Sequence, residues 1–353
     1  MIRVAIADDS PFTCRLLQSY LEDGDCEIVG VAHDAAATRD LVRRERPDVL
    51  TLDLEMPGGH GLDLLNQVVT ETAVPVVVIS GVTRRAASTT LRALELGAVD
   101  FVLKFTPGAP VSPAILRREI VAKVKTAAAA NIGRASCAGV PGMDADTLVP
   151  APRHPDARPA ADVIVIGAST GGPQALNRLV SRLDAVTDTA PILITQHMPA
   201  TFTTILAEHL TRSGAKPVHE PSDGEPVLAG HIYLAPGGRH MKVARRDGTA
   251  VIVLDDSAPV HYCRPAVDPL FASAAEVWGS WNLALILTGM GSDGATGAAD
   301  VVKAGGSVIA QDEATSVVWG MPGATVSAGV CSAVLPLEQI APKVSRLFLG
   351  ARA

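Results

Sequence analysis

A serine between glycines has the setting of a catalytic nucleophile in the second half of the chain. Gly167, Ser169 and Gly171 fit the pattern G-x-S-x-G, and the motif follows the apolar run 163–166. In a strand–turn–helix the glycines permit a sharp turn that exposes the serine hydroxyl. The free N–H groups that open the next helix can then stabilise an oxyanion. A Gly-rich turn of this kind can also cradle a phosphate, so the motif alone leaves both chemistries open.

A serine hydroxyl is a poor nucleophile without a base, and the chain offers two histidines for that role. His197 ends the next predicted strand, at the same sheet edge as Ser169, and is the favoured base, whereas His240 is the rival. Asp293 follows another predicted strand and could hold the imidazole in one tautomer, or could only cap the next helix. The chain order Ser, His, Asp differs from the Ser, Asp, His order of α/β-hydrolases.

Polar side chains also end the predicted strands of the first half of the chain. Strand one ends in Asp8 and Asp9, strand three in Asp53, strand four in Ser80 and strand five in Lys104. These strand ends meet at one edge of a doubly wound sheet, where crowded carboxylates repel one another and hold raised pKa values. Mg²⁺ resolves that repulsion, and Asp53 can then accept a phosphoryl group. Any one aspartate could simply suit a turn, but the whole set favours a phosphorylation switch.

Short aliphatic runs alternate with helical periods along both halves of the chain, which predicts two doubly wound α/β sheets. Residues 1–125 are predicted to hold a five-stranded parallel sheet, and residues 161–349 a mostly parallel one. The stretch 126–160 is rich in Pro, Gly and Ala and is predicted to be an interdomain linker. Asp247-Gly248 predicts a hairpin turn. Strands are predicted at 2–7, 27–32, 49–53, 76–80, 99–103, 163–167, 191–196, 231–235, 250–254, 283–288 and 307–310, and helices at 11–23, 35–46, 61–70, 85–96, 112–126, 172–183, 201–213, 268–278, 294–304, 320–328 and 337–348.

The composition narrows the functional classes. The net charge is −7 and no concentrated basic face occurs, which argues against nucleic-acid binding. Five cysteines, an odd number without CxxC spacing, indicate neither a disulfide framework nor a zinc site, and fit reduced thiols in the cytosol. The first residues read as a strand rather than a signal peptide. No run of about 18 apolar residues occurs, so no membrane span is expected.

The first half, with its set of polar residues at strand ends, resembles the receiver domain of bacterial two-component response regulators. Two positions depart from the family pattern: His60 stands where Asp is common, and Phe105 stands where Pro usually follows the lysine. The resemblance implies a flavodoxin-like fold and a histidine kinase as phosphoryl donor. It also implies phosphorylation at Asp53, Mg²⁺ ligands at Asp8, Asp9 and Asp53, and switch residues at Ser80 and Lys104.

The second half resembles the chemotaxis protein-glutamate methylesterase family. With the receiver in front, the resemblance covers nearly the whole chain outside the linker. It implies hydrolysis of glutamyl methyl esters on chemoreceptors and deamidation of certain receptor glutamines, by a triad of Ser169, His197 and Asp293. The matching segments are 167–173, 196–199, 235–241, 287–294 and 317–322.

The expected reaction begins when Ser169 attacks the γ-carbonyl of a methylated glutamate, while His197 takes the proton and Asp293 stabilises the imidazolium. Backbone N–H groups at Thr170 and Met290 are expected to hold the oxyanion. The esterase is expected to need no cofactor. The protein is expected to be a cytoplasmic monomer that acts on methyl-accepting chemotaxis receptors, without nucleic-acid binding or membrane insertion. The receiver is expected to restrain the esterase until it is phosphorylated.

Three other interpretations start from the same residues. A receiver could drive a DNA-binding output, but the chain lacks a basic patch and its second half reads as βα units. A non-catalytic adaptor could keep the fold and lose the chemistry, although the serine, histidine and aspartate argue against it. A serine hydrolase that acts on a protein outside chemotaxis is also compatible with the sequence.

Overall fold

The computed structural model describes residues 1–56, 61–104, 113–130, 162–214 and 216–350. They form two compact units, within Met1–Gly133 and Arg134–Ala353. Most of the predicted linker, 126–160, lies outside the described residues, as do His60 and Phe105. The domain limits 1–125 and 161–349 therefore stay predictions.

The first unit is a five-stranded parallel sheet with the strand order β2-β1-β3-β4-β5. That order is the flavodoxin-like one, and the predicted fold class is confirmed. Its β-strands are β1 (Ile2–Ala7), β2 (Cys26–Ala32), β3 (Val49–Asp53), β4 (Val76–Ser80) and β5 (Asp100–Leu103), and its helices are α1 (Pro11–Glu22), α2 (Ala35–Glu45), α3 (Gly61–Thr72), α4 (Arg84–Glu95) and α5 (Pro113–Ala128).

Strand burial and helix caps explain why these segments fold where they do. Strands β3 and β4 are buried at every position, as expected of central strands covered on both faces by helices. Three helices begin at a side chain that accepts the backbone N–H three residues on: Ser10 for α1, Asp34 for α2 and Thr83 for α4. The caps fix the strand-to-helix turns, which lie at the carboxyl edge of the sheet.

The second unit contains a seven-stranded sheet and a separate two-stranded hairpin. Every pairing in the larger sheet is parallel. Its elements are β6 (Val163–Ala168), α6 (Gly172–Val180), α7 (Asp184–Thr187), β7 (Ile192–Gln196), α8 (Ala200–Ser213), β8 (Val218–His219), β9 (Ile232–Leu234), β10 (His240–Arg246), β11 (Thr249–Asp255), α9 (Val267–Trp278), β12 (Asn282–Ile286), α10 (Ala295–Lys303), β13 (Ser307–Gln311), α11 (Met321–Ser327), β14 (Ala333–Leu335) and α12 (Leu337–Leu349).

The strand order β14-β13-β12-β6-β7-β9-β8 places β6 at the centre of this sheet. The chain leaves β6 towards β7 on one side and later returns to lay β12 on the other. Ligands of open α/β sheets bind at such a switch point, outside the carboxyl ends of the strands. The residues that follow β6, β7 and β12 therefore share one crevice.

Helix α9 covers the centre of this sheet. Phe271 is fully buried against the sheet residues Val165 and Ile286, which are also fully buried. Each such side chain contributes about 1.5–3 kcal/mol to folding, so the packing fixes α9 over β6 and β12. The first turn of α9 thereby reaches the crevice.

The predicted hairpin at Asp247-Gly248 is confirmed. Strands β10 and β11 pair antiparallel around these two residues, whose φ angles are +50° and +83°. Positive φ at both central positions is the geometry of a two-residue hairpin turn.

Two expectations differ from the structure. The helix predicted at 172–183 ends at Val180, and a separate short helix, α7, follows. Strands β8 and β14 have two and three residues, which is too short for an alternating pattern to reveal them. Among the described residues, none of the helices combines the length and the apolar character that crossing a bilayer demands.

Candidate active site

Ser169 lies just beyond the end of β6, in the turn that leads into α6. The left-handed residue of this turn is Gly171, with φ +75°, and a Cβ added there would lie 2.7 Å from Val317. Glycine is therefore required at that position, and Ser169 itself is not among the residues with positive φ. The turn presents the serine without backbone strain at the serine.

Backbone hydrogen bonds fix Ser169 on both sides. Its N–H donates to the carbonyl of Thr288 at 3.1 Å. Its own carbonyl accepts from the side chain of Gln196 at 3.0 Å and from the N–H of Gly172 at 2.7 Å. The serine is thus tied to the last residue of β7 and to the segment that follows β12.

His197 follows the neighbouring strand at the same height. Ala168 of β6 pairs with Gln196 of β7, and the N–H of His197 donates to the carbonyl of Ala168 at 3.2 Å. Ser169 and His197 are the residues that directly follow this register pair. The predicted meeting of the two strand ends is therefore found.

Asp293 lies against His197. The Nε2 atom of His197 is 2.7 Å from Oδ2 of Asp293, whose side chain is only 2 % exposed. The same carboxylate accepts the N–H of Val267 at 2.6 Å and the N–H of Asp268 at 3.0 Å. Asp293 does act as a helix cap, but it caps α9 rather than α10, and it contacts the imidazole as well. The two roles considered for this residue are combined.

No hydrogen bond among the described residues joins Ser169 Oγ to the His197 ring. Catalytic hydrogen bonds in a free enzyme are often long and tighten only when substrate binds. The arrangement therefore contains a formed imidazole–carboxylate pair and a serine on the adjoining strand end.

The pKa values of His197 and Asp293 shift in opposite directions, and each shift favours the charged form of its group. Burial alone would lower the pKa of His197, but hydrogen bonds and charge from Cys263 and Asp293 raise it above its ordinary value. Burial alone would raise the pKa of Asp293, but the hydrogen bond and charge of His197 lower it. A buried carboxylate beside an imidazole in this state is suited to stabilise an imidazolium.

The rival histidine, His240, has a structural role. It is fully buried, its Nδ1 accepts the N–H of Ala266 at 3.1 Å, and its Nε2 lies 3.2 Å from the carbonyl of Ala258. An Nδ1 that accepts and an Nε2 that donates define a neutral ring with both nitrogens occupied. His240 therefore holds the segment before α9 and has no nitrogen to offer a serine.

The loop after β12 approaches the serine turn. The hydroxyl of Thr288 donates to the carbonyl of Thr170 at 2.9 Å, and a Cβ added to Gly289 would lie 2.9 Å from Cβ of Ser169. Thr170 and Met290, the expected oxyanion donors, therefore belong to two segments in mutual contact. Their role as donors stays a prediction.

Two further residues of this site were not singled out from the sequence. Cys263 lies near the His197 ring and contributes to its raised pKa, and Asp268 accepts the N–H of Gly294 at 2.9 Å. Nothing in the sequence around Cys263 marks it as a neighbour of His197. Asp268, near a helix start, looks like an ordinary first-turn carboxylate.

The polar residues of the first unit also meet at one sheet edge. Nζ of Lys104 lies 2.6 Å from Oδ2 of Asp53 and 3.2 Å from Oδ2 of Asp8. Ser80 Oγ accepts a hydrogen bond from the Thr90 hydroxyl at 2.7 Å. Burial alone would lower the pKa of Lys104, but the hydrogen bonds and charges of Asp53 and Asp8 raise it. The lysine is held as a cation beside the predicted phosphorylation site.

The acidic cluster of this edge fits a divalent cation. Ligand oxygens of Asp8, Asp9 and Asp53 lie within 4.8 Å of one another. Oδ2 of Asp8 is buried and has no hydrogen-bond partner among the described residues, only the ion pair with Lys104. Burial raises the pKa of Asp8, and the charge of Asp53 adds to the shift. A hard cation with oxygen ligands would satisfy the orphaned oxygen.

Comparison with known proteins agrees with this geometry. Residues 164–344 match the family model described as CheB methylesterase, and residues 4–111 match the response regulator receiver domain. The chain belongs to the CheB methylesterase family. It carries a receiver domain in front of the catalytic domain, as the resemblance implied.

Full-length relatives and a solved structure give the extent of the likeness. A protein-glutamate methylesterase/protein-glutamine glutaminase of Rhodopseudomonas palustris (strain BisB5) is 48 % identical, over 100 % of this chain and 95 % of the relative. One of the same name from Azospirillum brasilense is 45 % identical, over 98 % and 92 %. The crystal structure of the Thermotoga maritima CheB methylesterase catalytic domain covers 53 % of this chain and 99 % of its own, with 41 % identity and a TM-score of 0.52.

The pKa of His197 is predicted to fall when the charge of Asp293 is removed. Asp293 helps to hold that pKa above the ordinary 6.5, so activity that needs the neutral base declines as the pH falls through the raised pKa. In Asp293→Asn the pKa should drop by about one pH unit or more, which moves the acid limb to lower pH. NMR titration of the His197 imidazole, together with the pH profile of kcat/KM, measures the shift.

The matched control for this titration is Asp162→Asn. Asp162 is exposed and precedes β6, at the sheet edge opposite to the site, so its removal should leave the titration of His197 unchanged. A His197 pKa that is the same in Asp293→Asn and in the wild type would contradict the pairing.

Proposed function

We propose that this chain is a phosphorylation-regulated protein-glutamate methylesterase and protein-glutamine deamidase that acts on methyl-accepting chemotaxis receptors. The observation that supports the esterase most strongly is the buried 2.7 Å contact between His197 and Asp293, one strand from the turn that carries the half-buried Ser169. A neutral imidazole whose Nε2 donates to a carboxylate leaves Nδ1 as the proton acceptor. A serine, a base and an orienting acid are the parts that acyl transfer requires.

The first half of the reaction forms an acyl-enzyme. Ser169 Oγ attacks the γ-carbonyl carbon of a methylated glutamate, and His197 accepts the hydroxyl proton. Asp293 stabilises the imidazolium that results. N–H groups at Thr170 and Met290 hold the tetrahedral oxyanion. Collapse breaks the bond to the methoxy oxygen, which leaves as methanol with the proton from His197.

The second half of the reaction releases the receptor. Water attacks the glutamyl ester on Ser169, gives one proton to His197, and the ester bond to Oγ breaks as that proton returns to Oγ. The product is a glutamate carboxylate. A glutamine side chain passes through the same steps and loses ammonia instead of methanol, so both substrates give the receptor a new negative charge.

The receiver is proposed to accept a phosphoryl group from a histidine kinase at Asp53. Asp8, Asp9 and Asp53 would hold Mg²⁺, which neutralises the charge that gathers during phosphoryl transfer. Lys104, already paired with Asp53 at 2.6 Å, would neutralise phosphoryl oxygens, and Ser80 would hydrogen-bond them. The monomeric state and the cytoplasmic location stay predictions.

Replacing Ser169 by Ala is predicted to abolish methanol release. Without the hydroxyl no acyl-enzyme forms, and the loss should be at least about 10³-fold, as for other nucleophile deletions. The assay is methanol release from methylated receptor membranes. A phosphonate ester-type probe should label wild-type protein at Ser169 and leave Ser169→Ala unlabelled.

Cys263→Ala is the control that separates the two nucleophiles beside His197. It removes a thiol that neighbours the same imidazole and should retain labelling at Ser169, while the pH dependence of methanol release should shift because Cys263 helps to raise the pKa of His197. Full activity in Ser169→Ala, or loss of labelling in Cys263→Ala with Ser169 intact, would refute the serine as nucleophile.

The Mg²⁺ affinity of the receiver is predicted to fall when a ligand carboxylate is neutralised and to rise when the charge of the neighbouring lysine is removed. Asp8→Asn removes a ligand charge and should weaken binding about tenfold or more. Lys104→Met removes a cation that pairs with Asp8 and Asp53 and should tighten it, because like charges repel. Calorimetric titration with Mg²⁺ measures both, and exposed Asp40→Asn is the control. Tighter binding in Asp8→Asn would contradict the ligand set.

Phosphorylation is predicted to raise esterase activity. A modification shifts an equilibrium only by stabilising one state more than the other, and Asp53 is the group that would carry the modification. Methanol release by the full chain should rise when its kinase and ATP are added, and Asp53→Asn should show no rise. Equal stimulation of both proteins would exclude Asp53 as the acceptor.

A further inference from the structure

Two neighbouring helices of the second unit exchange the carboxylates that cap them. Neither the N-cap residue of α9, Ala266, nor that of α10, Gly294, supplies a side-chain hydrogen bond. Asp293, which precedes α10, instead accepts the first two N–H groups of α9 at 2.6 and 3.0 Å. Asp268, the second residue of α9, accepts the N–H groups of Gly294 and Gly297 at 2.9 and 2.7 Å. Each carboxylate satisfies N–H groups that open the other helix.

The loop that carries Asp293 needs such a tether. Gly291 and Gly294 flank the aspartate with φ angles of +89° and +93°. The positive φ of Gly294 favours glycine at this position, and a Cβ there would also lie 2.6 Å from Cδ1 of Ile286. Glycine leaves the backbone free to sample many conformations. The two bonds from Asp268 fix the residue next to Asp293 and the first turn of α10.

The exposed side chain of His261 contacts the carboxylate of Asp268. Its side chain is 13 % exposed, and Nε2 of His261 lies 3.1 Å from Oδ2. Burial raises the pKa of Asp268, as does the charge of Asp293, while the N–H of Gly297 and the contact with His261 act in the opposite direction. A carboxylate oxygen of each aspartate and a ring nitrogen of His261 lie within 4.8 Å of one another. Both carboxylates already accept two backbone N–H groups, which favours a structural task over metal binding.

We propose that Asp268 is a positioning residue of the esterase, which holds Asp293 in line with Nε2 of His197 by bonding Gly294 and Gly297. This inference rests on the proposed function, because it gives the His197–Asp293 pair a catalytic role. Asp268 acts through Asp293, and a displacement of about 1 Å at a catalytic group can reduce a rate about 10²-fold.

The test compares Asp268→Ala, Asp268→Asn and Glu276→Gln in the full chain. Asp268→Ala removes both bonds to α10 and should lower kcat for methylated receptor membranes about 10–100-fold, with KM within about threefold. Asp268→Asn keeps a carbonyl oxygen that can accept both N–H groups and should recover most of the lost kcat. Glu276 is exposed on the same helix, and its change to Gln should equal the wild type.

A second readout needs no turnover. The imidazole N–H of His197 that donates to Asp293 should give a low-field proton resonance in wild-type protein, in Asp268→Asn and in Glu276→Gln, and should be lost or shifted in Asp268→Ala. A merely structural cap would lower the melting temperature without moving this resonance in the folded protein. If Asp268→Ala does not fold, Asp268→Asn decides: a retained resonance with kcat within about tenfold supports the proposal, and a lost one overturns it.

The two readouts separate this inference from the proposed function. If the wild-type protein releases no methanol but the variants show the resonance changes above, the esterase assignment is wrong and the positioning of Asp293 by Asp268 is retained. A wild-type protein that is active, with an Asp268→Ala variant equal to it in kcat and in the resonance, would overturn the positioning role alone.

Discussion

The carboxylate of Asp293 is buried, and the catalytic geometry of the second unit depends on how it is satisfied. An ionised carboxylate away from water is costly unless it is paired and hydrogen-bonded. Here it accepts the Nε2 proton of His197 and two N–H groups at the start of α9, where the helix dipole favours negative charge. The imidazole of His197 is thereby tied to a helix that packs across β6 and β12, so the packing of the core also sets the orientation of the imidazole.

Both units gather charged groups at the carboxyl edge of a parallel sheet, but the carboxylates at the two edges are satisfied in different ways. Both collect polar residues at the carboxyl edge of a parallel sheet, where helix starts and strand ends converge. In the first unit, carboxylates gather around Lys104 and leave an oxygen of Asp8 without a hydrogen bond, which suits an added cation. In the second, one carboxylate meets an imidazole and two N–H groups, and no further charge is needed. The first edge leaves a carboxylate oxygen without a hydrogen bond, whereas groups of the protein itself satisfy the carboxylate of Asp293 at the second edge.

The sequence predicted the strand ends well because buried parallel strands are continuous aliphatic runs, and the residues that follow them are easy to locate. Ser169, His197 and Asp293 were found in this way. The choice between His197 and His240 needed the structure, since only hydrogen-bond partners distinguish a free nitrogen from an occupied one. Cys263 and Asp268 lie on a connection after the hairpin and on a helix start, where no period indicates which neighbour they face. Short strands such as β8 and β14 gave no signal for the same reason.

Some parts of the site are held by hydrogen bonds in the free protein and others are not, and substrate binding would have to order the latter. The His197 ring is anchored by Asp293, and the backbone of Ser169 is bonded through both its N–H and its carbonyl. What remains is the χ1 torsion of the serine, which has three staggered positions. A substrate carbonyl that selects one of them orders a single rotor, which costs little conformational entropy. What substrate binding would have to add is therefore the hydrogen bond between the hydroxyl and the imidazole, which no contact among the described residues of the free protein supplies.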